Sequence, residues 1–411
     1  MPNARFIRAV GSAAKSPRVI FLIALTARLW VLSQLLPANA WRDFYHYNEP
    51  AHIAWSVVSG AGYSSPWANT DPMATAQQPP LYPLLLAGIF KLAGAYSYFS
   101  LWLAAVLNAV FSATTAIVIL HLGKRIFSPL TGILAAWIWS CWIYEAVVSI
   151  RLWESSLSAL LLVTGLLLLS QEESLRRDLV LGVLAGVAAL TNTTLLAMFP
   201  FFWLCRWLRN RRREPSCTKW LAVSLAACVL VVLPWTVRNY EVFHHLVPVR
   251  DNFGLELWLG NHEGVTHVFD NDFPILNPTE YNHLGEIRFM EVKQEIALEF
   301  IGRHPGDFLK LSAERFLRFW SAPDKSGWLI ISPFAWVGMV LAVRRKRMEA
   351  VPYAGTLILF PIVYYLTHVF STYRHPIEPV ILLLASYAAV SIAETMGARL
   401  VHRTSSDRRV Q

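Results

Sequence analysis

The sequence predicts an all-α polytopic membrane protein crossing a bilayer about ten times, on three observations. Of its 411 residues, 55% are hydrophobic and only 15% charged, where soluble domains carry roughly 25% charged residues. The mean hydropathy is +0.41, and the apolar residues gather into runs such as 19–36, 101–120, 157–169 and 221–232. A crossing needs about 20 such residues. The 17 Trp suit the aromatic belts that form at headgroup level.

Each element follows in order. Arg5, Arg8, Lys15 and Arg18 precede the first run and place the N-terminus inside by the positive-inside rule. The run ends at Ala38-Asn39-Ala40, which resembles a signal cleavage site. Its length exceeds the roughly 7–15 residues of a signal core, so it is read as a retained span one. The segment Leu81–Ala93 follows Gln78-Pro79-Pro80 and contains Pro83. It is too short to cross and reads as an interfacial or re-entrant helix.

That reading sets everything downstream. Span two (97–121) enters at Lys124 and Arg125, span three (129–148) exits, and span four (154–170) returns at Arg176 and Arg177. Spans five and six (179–192 and 194–208) form a pair that ends at Arg209 and Arg211. Span seven (219–237) exits and span eight (327–343) returns to Arg344, Arg345, Lys346 and Arg347. Spans nine and ten (352–370 and 377–396) leave Arg399, Arg403, Arg408 and Arg409 inside. Were Leu81–Ala93 a crossing, every one of these clusters would lie outside, against the charge bias.

Three regions result: an N-terminal membrane region (1–237) with its first outer loop (37–96), an extracytoplasmic segment (238–325), and C-terminal membrane helices with a cytoplasmic tail (326–411). The second half of the outer segment reads as two amphipathic helices. One runs from about Glu280 to Phe300, and the other starts at Pro305 with Phe308, Leu311, Arg315, Phe316 and Phe319 at helical spacing. Its first half, rich in Gly and Asn, reads as loop.

The formal charge of +9 is accounted for by the cytoplasmic clusters, so no nucleic acid partner is expected. Cys141, Cys205, Cys217 and Cys228 lack the spacing of a disulfide framework or zinc site. No GxGxxG, Walker A or HExxH run is present, and His244, His245, His262 and His267 read as surface groups. No metal or cofactor is expected.

Ionisable groups from four separated segments fall on the outer side: Asp43, Glu49 and Asp71; Glu145, Arg151 and Glu154; Arg238 with Asn239; and Arg374, His375 and Glu378. Each alone fits a solvated interfacial charge. Glu154 and Arg374 abut apolar spans, where an ionisable group is a functional candidate. As a set they suit chemistry on an anionic lipid. Carboxylates can deprotonate an acceptor hydroxyl or amine, and Arg374 or Arg238 can hold a phosphate by charge-assisted hydrogen bonds.

A series of motifs carries a resemblance. These are Glu49-Pro-Ala-His-Ile-Ala54, Gly60-Ala-Gly-Tyr63, Gln78-Pro-Pro-Leu-Tyr82-Pro-Leu-Leu-Leu-Ala87 and Lys91-Leu-Ala-Gly94. Further on come Gly182-Val-Leu-Ala-Gly-Val-Ala-Ala-Leu-Thr191, Pro234-Trp-Thr-Val-Arg-Asn-Tyr240 and Tyr373-Arg-His-Pro-Ile-Glu-Pro379. In order and spacing they resemble the GT-C glycosyltransferases of the protein O-mannosyltransferase and aminoarabinose transferase (ArnT-like) type. The resemblance implies an inverting transfer of sugar from a polyprenyl-phosphate donor to a protein, glycolipid or cell-envelope acceptor. It also implies a multi-pass protein of the inner (plasma) membrane, surrounded by membrane lipids, with its site on the extracytoplasmic side. It implies a catalytic acid in the first outer loop and a second at the start of a later span, which Glu154 matches. Where many relatives carry an adjacent Asp-Glu pair, this chain has His46-Tyr47, so the base is Glu49 or Asp43, with Glu49 favoured because it precedes the Ile53-Ala54 step. Gln78 stands where relatives often have Lys or His, which shifts phosphate binding towards Arg374. Tyr82, Asn239, His375 and Glu378 are further site candidates. Two alternatives stay open: a transporter or flippase of lipid-linked glycans, using Arg28, Thr114, Thr115, Thr164 and Asn192 along a path, or a catalytically inactive relative.

Overall fold

The computed structural model describes residues 14–35, 45, 48–67, 71–211, 216–265, 278–321 and 327–407, without the side chains of 346–347 and 397–407. In chain order its α-helices are α1 (Pro17–Leu35), α2 (Glu49–Val58), α3 (Leu81–Ala93), α4 (Tyr98–Ile126), α5 (Pro129–Cys141) and α6 (Ile143–Ser149). Next come α7 (Ser155–Leu169), α8 (Leu175–Ala189), α9 (Thr193–Asn210), α10 (Cys217–Phe243), α11 (Phe253–Gly260) and α12 (Pro278–Leu284). The last are α13 (Glu286–Arg303), α14 (Pro305–Ser321), α15 (Trp328–Lys346), α16 (Val351–Leu359), α17 (Ile362–Leu366) and α18 (Glu378–Asp407), the last preceded by a 3-10 turn, Ser371–Ile377. Among the described residues there is no strand.

Every expected span is helical, but not every helix is long enough to cross. Five pass on length and hydropathy: α1, α4, α10, α15 and the Ser371–Met396 stretch. A sixth is the pair α5 and α6, bent by 67° at Trp142. The shortfall against about ten has local causes. α7 has 15 residues, roughly 22 Å against a hydrocarbon core of about 30 Å. α8 carries Arg176, Arg177 and Asp178 in its first turn, and α9 contains Pro200, Arg206 and Arg209. α16 and α17 are separated at Phe360 and Pro361, where the proline cannot continue the amide ladder. α3, with 13 residues, is too short to span, in line with the interfacial reading.

The bundle has a centre and a rim. The Ser371–Met396 stretch is 83% buried, whereas α10 is 17% buried. Ile381, Leu383 and Leu384 of α18 lie in one apolar core with Ile119, Trp139 and Leu162, where α18 packs most closely on α15 and α5 and also on α4 and α7. A second apolar core joins α1, α3 and α4 to Tyr45 and α2 through Leu32, Leu86, Phe90, Ala54 and Ala105.

Arg28 explains the bent span. It is fully buried in α1; its Nη1 and Nη2 donate to the Ser140 and Trp139 carbonyls at 3.0 and 2.9 Å, and its Nε to Ser112 Oγ at 2.7 Å. The last carbonyls of α5 lose their helical partners at the bend, and the guanidinium satisfies them.

The segment 238–325, expected to lie outside the membrane, differs from its expected form in two places. Phe253–Gly260, expected as loop, is the helix α11, and Gly260 is the reason it fits. A Cβ there would lie 1.8 Å from the Thr367 carbonyl oxygen. The helix expected from Glu280 to Phe300 is broken at Gly285, whose φ of +73° is readily open only to glycine. Leu255, Leu259, Tyr281, Phe289 and Met290 form a small core there, joined by Trp67 and Met73 of the first outer loop.

Candidate active site

The segment between α2 and α3 is fixed to α12 and α13 by one buried carboxylate. Glu286, 4% exposed, opens α13; Thr75 Oγ1, the Ala76 amide N–H and the Tyr281 hydroxyl donate to it, the last at 2.8 Å. Burial pushes its pKa up to about 7, opposed by these three hydrogen bonds. Arg238 assists: it donates to the Thr75 and Tyr63 carbonyls at 2.9 and 3.0 Å and stacks 4.8 Å from the Trp235 ring. Asn239, fully buried, accepts from Arg238 and donates to the Val247 carbonyl at 3.0 Å. These two expected site residues are therefore occupied in holding backbone.

The clamped segment 75–78 delivers its side chains to Glu49. Glu49 opens α2, where Asn48 is the N-cap, accepting from the Ala51 amide at 2.8 Å, and Pro50 fills the first turn. Asn48 Nδ2 also donates to the Leu152 carbonyl at 2.7 Å, tying α2 to the strip before α7. The Glu49 carboxylate accepts from Trp67 Nε1 at 2.9 Å, from Gln77 Nε2 at 3.1 Å and, in a short bond, from Gln78 Nε2. Burial raises its pKa above the usual carboxylate range, while the bond from Trp67 and the charge of Arg250 pull it back.

Glu154, 7% exposed, sits at the start of α7 and accepts weakly from Asn192 Nδ2 at 3.4 Å. It feels the charges of Arg250 and Glu49. Arg250 donates to the Gln77 carbonyl at 2.6 Å and pairs with Glu256 at 3.1 Å. Glu256 lies 3.4 Å from His368 Nδ1, and His368 Nε2 meets the Tyr373 hydroxyl at 3.0 Å. Tyr364 stacks 4.7 Å from Tyr373 and bonds Thr194 at 3.3 Å. Three carboxylates (Glu49, Glu154 and Glu256), one guanidinium and the phenols of Tyr364 and Tyr373 thus come together where α2 and the 75–78 segment, α7, α9, α11 and the α17–α18 connection converge.

The expected residues fall into two groups. Glu49, Glu154 and Gln78 are together. Tyr82 stands behind them, its hydroxyl accepting from Asn108 Nδ2 at 2.8 Å, and the same amide donates to the Arg151 carbonyl at 2.6 Å. Arg374, Glu378, His375 and Glu145 form a separate buried network. Arg374 is fully buried and pairs with Glu378 at 2.5 and 3.1 Å, donates to Ser332 at 2.8 Å and stacks 4.2 Å from Trp328. His375 Nδ1 bonds Glu145 at 2.6 Å. With its charge matched by Glu378, Arg374 ties the last 3-10 turn to α15 and α18. Asp43, His46 and Tyr47 lie outside the described residues. Sequence reasoning missed Trp67, Arg250, Glu256, Tyr364 and His368. The only signal was a basic residue, Arg250, followed by Asp251 and Asn252 inside a stretch read as loop. Among the described residues no group of three or more His, Cys, Asp or Glu could hold a metal ion.

Residues 77–237 match the family model for dolichyl-phosphate-mannose-protein mannosyltransferase. Among solved structures, ArnT from Cupriavidus metallidurans bound to undecaprenyl phosphate is similar with a TM-score of 0.52 at 14% identity, covering 89% of this chain and 59% of that one. The archaeal oligosaccharyltransferase AglB from Archaeoglobus fulgidus, in complex with an inhibitory peptide and a dolichol-phosphate, is similar with a TM-score of 0.57 at 12% identity, covering 94% and 52%. The chain thus spans little more than half the length of these structures. No curated protein matches the sequence. The family match begins at Gln77, inside the clamped loop, and with the two structural likenesses it gives the chain the GT-C fold that its motifs imply.

Proposed function

We propose that the chain is a glycosyltransferase that moves a sugar from a polyprenyl-phosphate donor to an acceptor at the extracytoplasmic face, with inversion. The observation that carries this is the Glu49 carboxylate, held by Trp67, Gln77 and Gln78 within electrostatic reach of Glu154 and Arg250. ArnT and AglB, which share the fold, were solved with undecaprenyl phosphate and dolichol-phosphate, and a lipid phosphate fits the need for a cation at the site.

In this reading Glu49 takes the proton from the acceptor hydroxyl or amine. The freed lone pair attacks the anomeric carbon on the face opposite the phosphate, a new glycosidic bond forms, and the bond to the phosphate oxygen breaks. The polyprenyl phosphate leaves with the electron pair. Arg250, paired with Glu256 but with its side chain still partly exposed, balances its charge, taking the role that the motifs assigned to Arg374, whose guanidinium is fully buried against Glu378. Glu154 orients the donor sugar through its hydroxyls. The raised pKa of Glu49 makes it a stronger base than a solvated carboxylate. Against the transporter reading, Arg28 caps α5, Thr114 and Thr115 bond carbonyls of their own helix at 2.8 and 3.0 Å, and Asn192 caps α9 and donates to Glu154, which leaves Thr164 of its five polar residues.

The test is transfer from a polyprenyl-phosphate sugar by Glu49→Gln, Glu154→Gln and Arg250→Ala proteins. Loss of turnover in the first and a raised donor KM in the third support the assignment. Undiminished transfer by Glu49→Gln removes it.

A further inference from the structure

The far end of the bundle from Glu49 holds a second concentration of charge that the proposed reaction does not use. α7 and α9 begin beside Glu154 and Asn192 and run for 15 and 18 residues, roughly 22–27 Å. At their far ends Arg177, Asp178 and Arg206 are 5%, 0% and 6% exposed. Arg206 Nε donates to Glu173 at 3.1 Å and its Nη1 pairs with Asp178, whose Oδ1 is also 3.5 Å from Arg177 Nη1. Arg177 further feels the charge of Arg209. Two guanidiniums therefore share two carboxylates, and a third, Arg209, stands near them with a hydrogen bond to Asn210 only.

The donors there are left over. Among the described residues, both terminal nitrogens of Arg177, Nη2 of Arg206 and the Tyr353 hydroxyl are buried without a hydrogen-bond partner. One oxygen each of Glu173 and Asp178 is also unpartnered, but Arg206 already meets both carboxylates. Buried polar groups are rarely left so. Arg206 lines a small recess of about 20 Å³ that is open to the outside, with a basic side, Arg206 and Arg209, and an apolar side, Leu169, Phe202, Met348 and Pro352. Its apolar rim reaches the surface at Met348, which is 39% exposed. A free anion needs the basic side only. A lipid uses both.

We propose that this pocket takes the phosphate of an anionic phospholipid headgroup, with Arg206 and Arg209 on the phosphate and Leu169, Phe202 and Met348 against the glycerol and first acyl carbons. Basic recesses between helices suit such headgroups at the positively flanked side of a membrane. Arg206 supports the fold through Asp178, so the decisive variant is Arg209→Ala, which breaks no ion pair.

Native mass spectrometry of the purified full chain tests this, with phosphatidylglycerol, phosphatidylcholine or inorganic phosphate added in turn. The wild type is expected to retain phosphatidylglycerol at least tenfold over phosphatidylcholine, and Arg209→Ala to lower that retention at least fivefold at unchanged melting temperature. Equal retention of the two lipids, or equal retention by Arg209→Ala, overturns the proposal. Displacement of the lipid by millimolar inorganic phosphate alone would make the ligand a free anion and overturn the lipid assignment.

Discussion

Replacing Glu286 separates two ways in which a buried carboxylate can hold a loop. In Glu286→Ala, the Thr75 hydroxyl, the Ala76 amide and the Tyr281 hydroxyl all lose their acceptor. Bonds to a charged acceptor contribute about 1.5–3 kcal/mol each, and a buried unsatisfied donor costs about 1–3 kcal/mol. The two hydroxyls can turn elsewhere, but the amide cannot, so the local cost is about 3–5 kcal/mol. In Glu286→Gln, the amide oxygen keeps the Ala76 N–H, and the new NH2 donates to hydroxyls that reverse their role from donor to acceptor. That change should cost under about 1.5 kcal/mol. The two variants also differ with pH. The folded pKa of Glu286, about 7, lies above its ordinary value of 4.5, so its contribution is fully present below about pH 4.5 and lost as pH rises through 7. The swing is roughly 3 kcal/mol. Hydrogen exchange of residues 71–78 in detergent, at pH 5 and pH 8, reads the clamp directly. The wild type should open more readily at pH 8, Glu286→Gln should show little pH dependence, and Glu286→Ala should exchange fast at both values with transfer reduced. Slow exchange in Glu286→Ala, or a glutamine variant as open as the alanine, would refute the reasoning.

The remaining predictions concern separate links. Glu49→Gln should lower kcat by about 10²–10⁴, the usual contribution of a general base, and this is read by steady-state transfer kinetics. In the wild type the acidic limb of kcat/KM should have its midpoint above the ordinary carboxylate value, since Glu49 must lose its proton and burial raises its pKa; a limb at or below that value would contradict the assignment. Gly260→Ala should destabilise the outer segment by about 1–3 kcal/mol, because the added Cβ meets the Thr367 carbonyl, and the melting temperature in detergent checks it. Arg374→Met should lower thermal stability, because Glu378 is left as a buried unpaired charge, and the additional Glu378→Leu change should recover much of the loss.

The apolar runs made the helices legible, because hydrophobicity in a bilayer is a property of the segment itself. The short helices were less so. α7 and the α16–α17 pair carry the right composition, but length and proline set how far they reach, and the sequence average conceals both. Glu49 and Glu154 could be found because motif and chain position marked them. Arg250 and Glu256 stand six residues apart, but His368 is 112 residues beyond Glu256, so packing of α11 against the α17–α18 connection is needed to unite the three. Arg374 illustrates the converse. A conspicuous arginine next to a span invites a ligand, yet four residues on, at a helical turn's distance, stands the glutamate that neutralises it.

The carbonyl cap that Arg28 supplies to the bent span also constrains how the chain can be made. A guanidinium in the middle of the first helix is costly in hydrocarbon, and two of its acceptors, the carbonyls of Trp139 and Ser140, are synthesised more than one hundred residues later. Until α5 emerges, α4 offers this charge only the Ser112 hydroxyl. The first helix should therefore remain beside the insertion machinery, or in a water-exposed groove, until the third hydrophobic element arrives. In released chains, a crosslinking probe in α1 should reach the insertion machinery when the chain ends near residue 127 and should lose it when the chain extends past residue 149, and the variant Arg28→Leu should remove the difference.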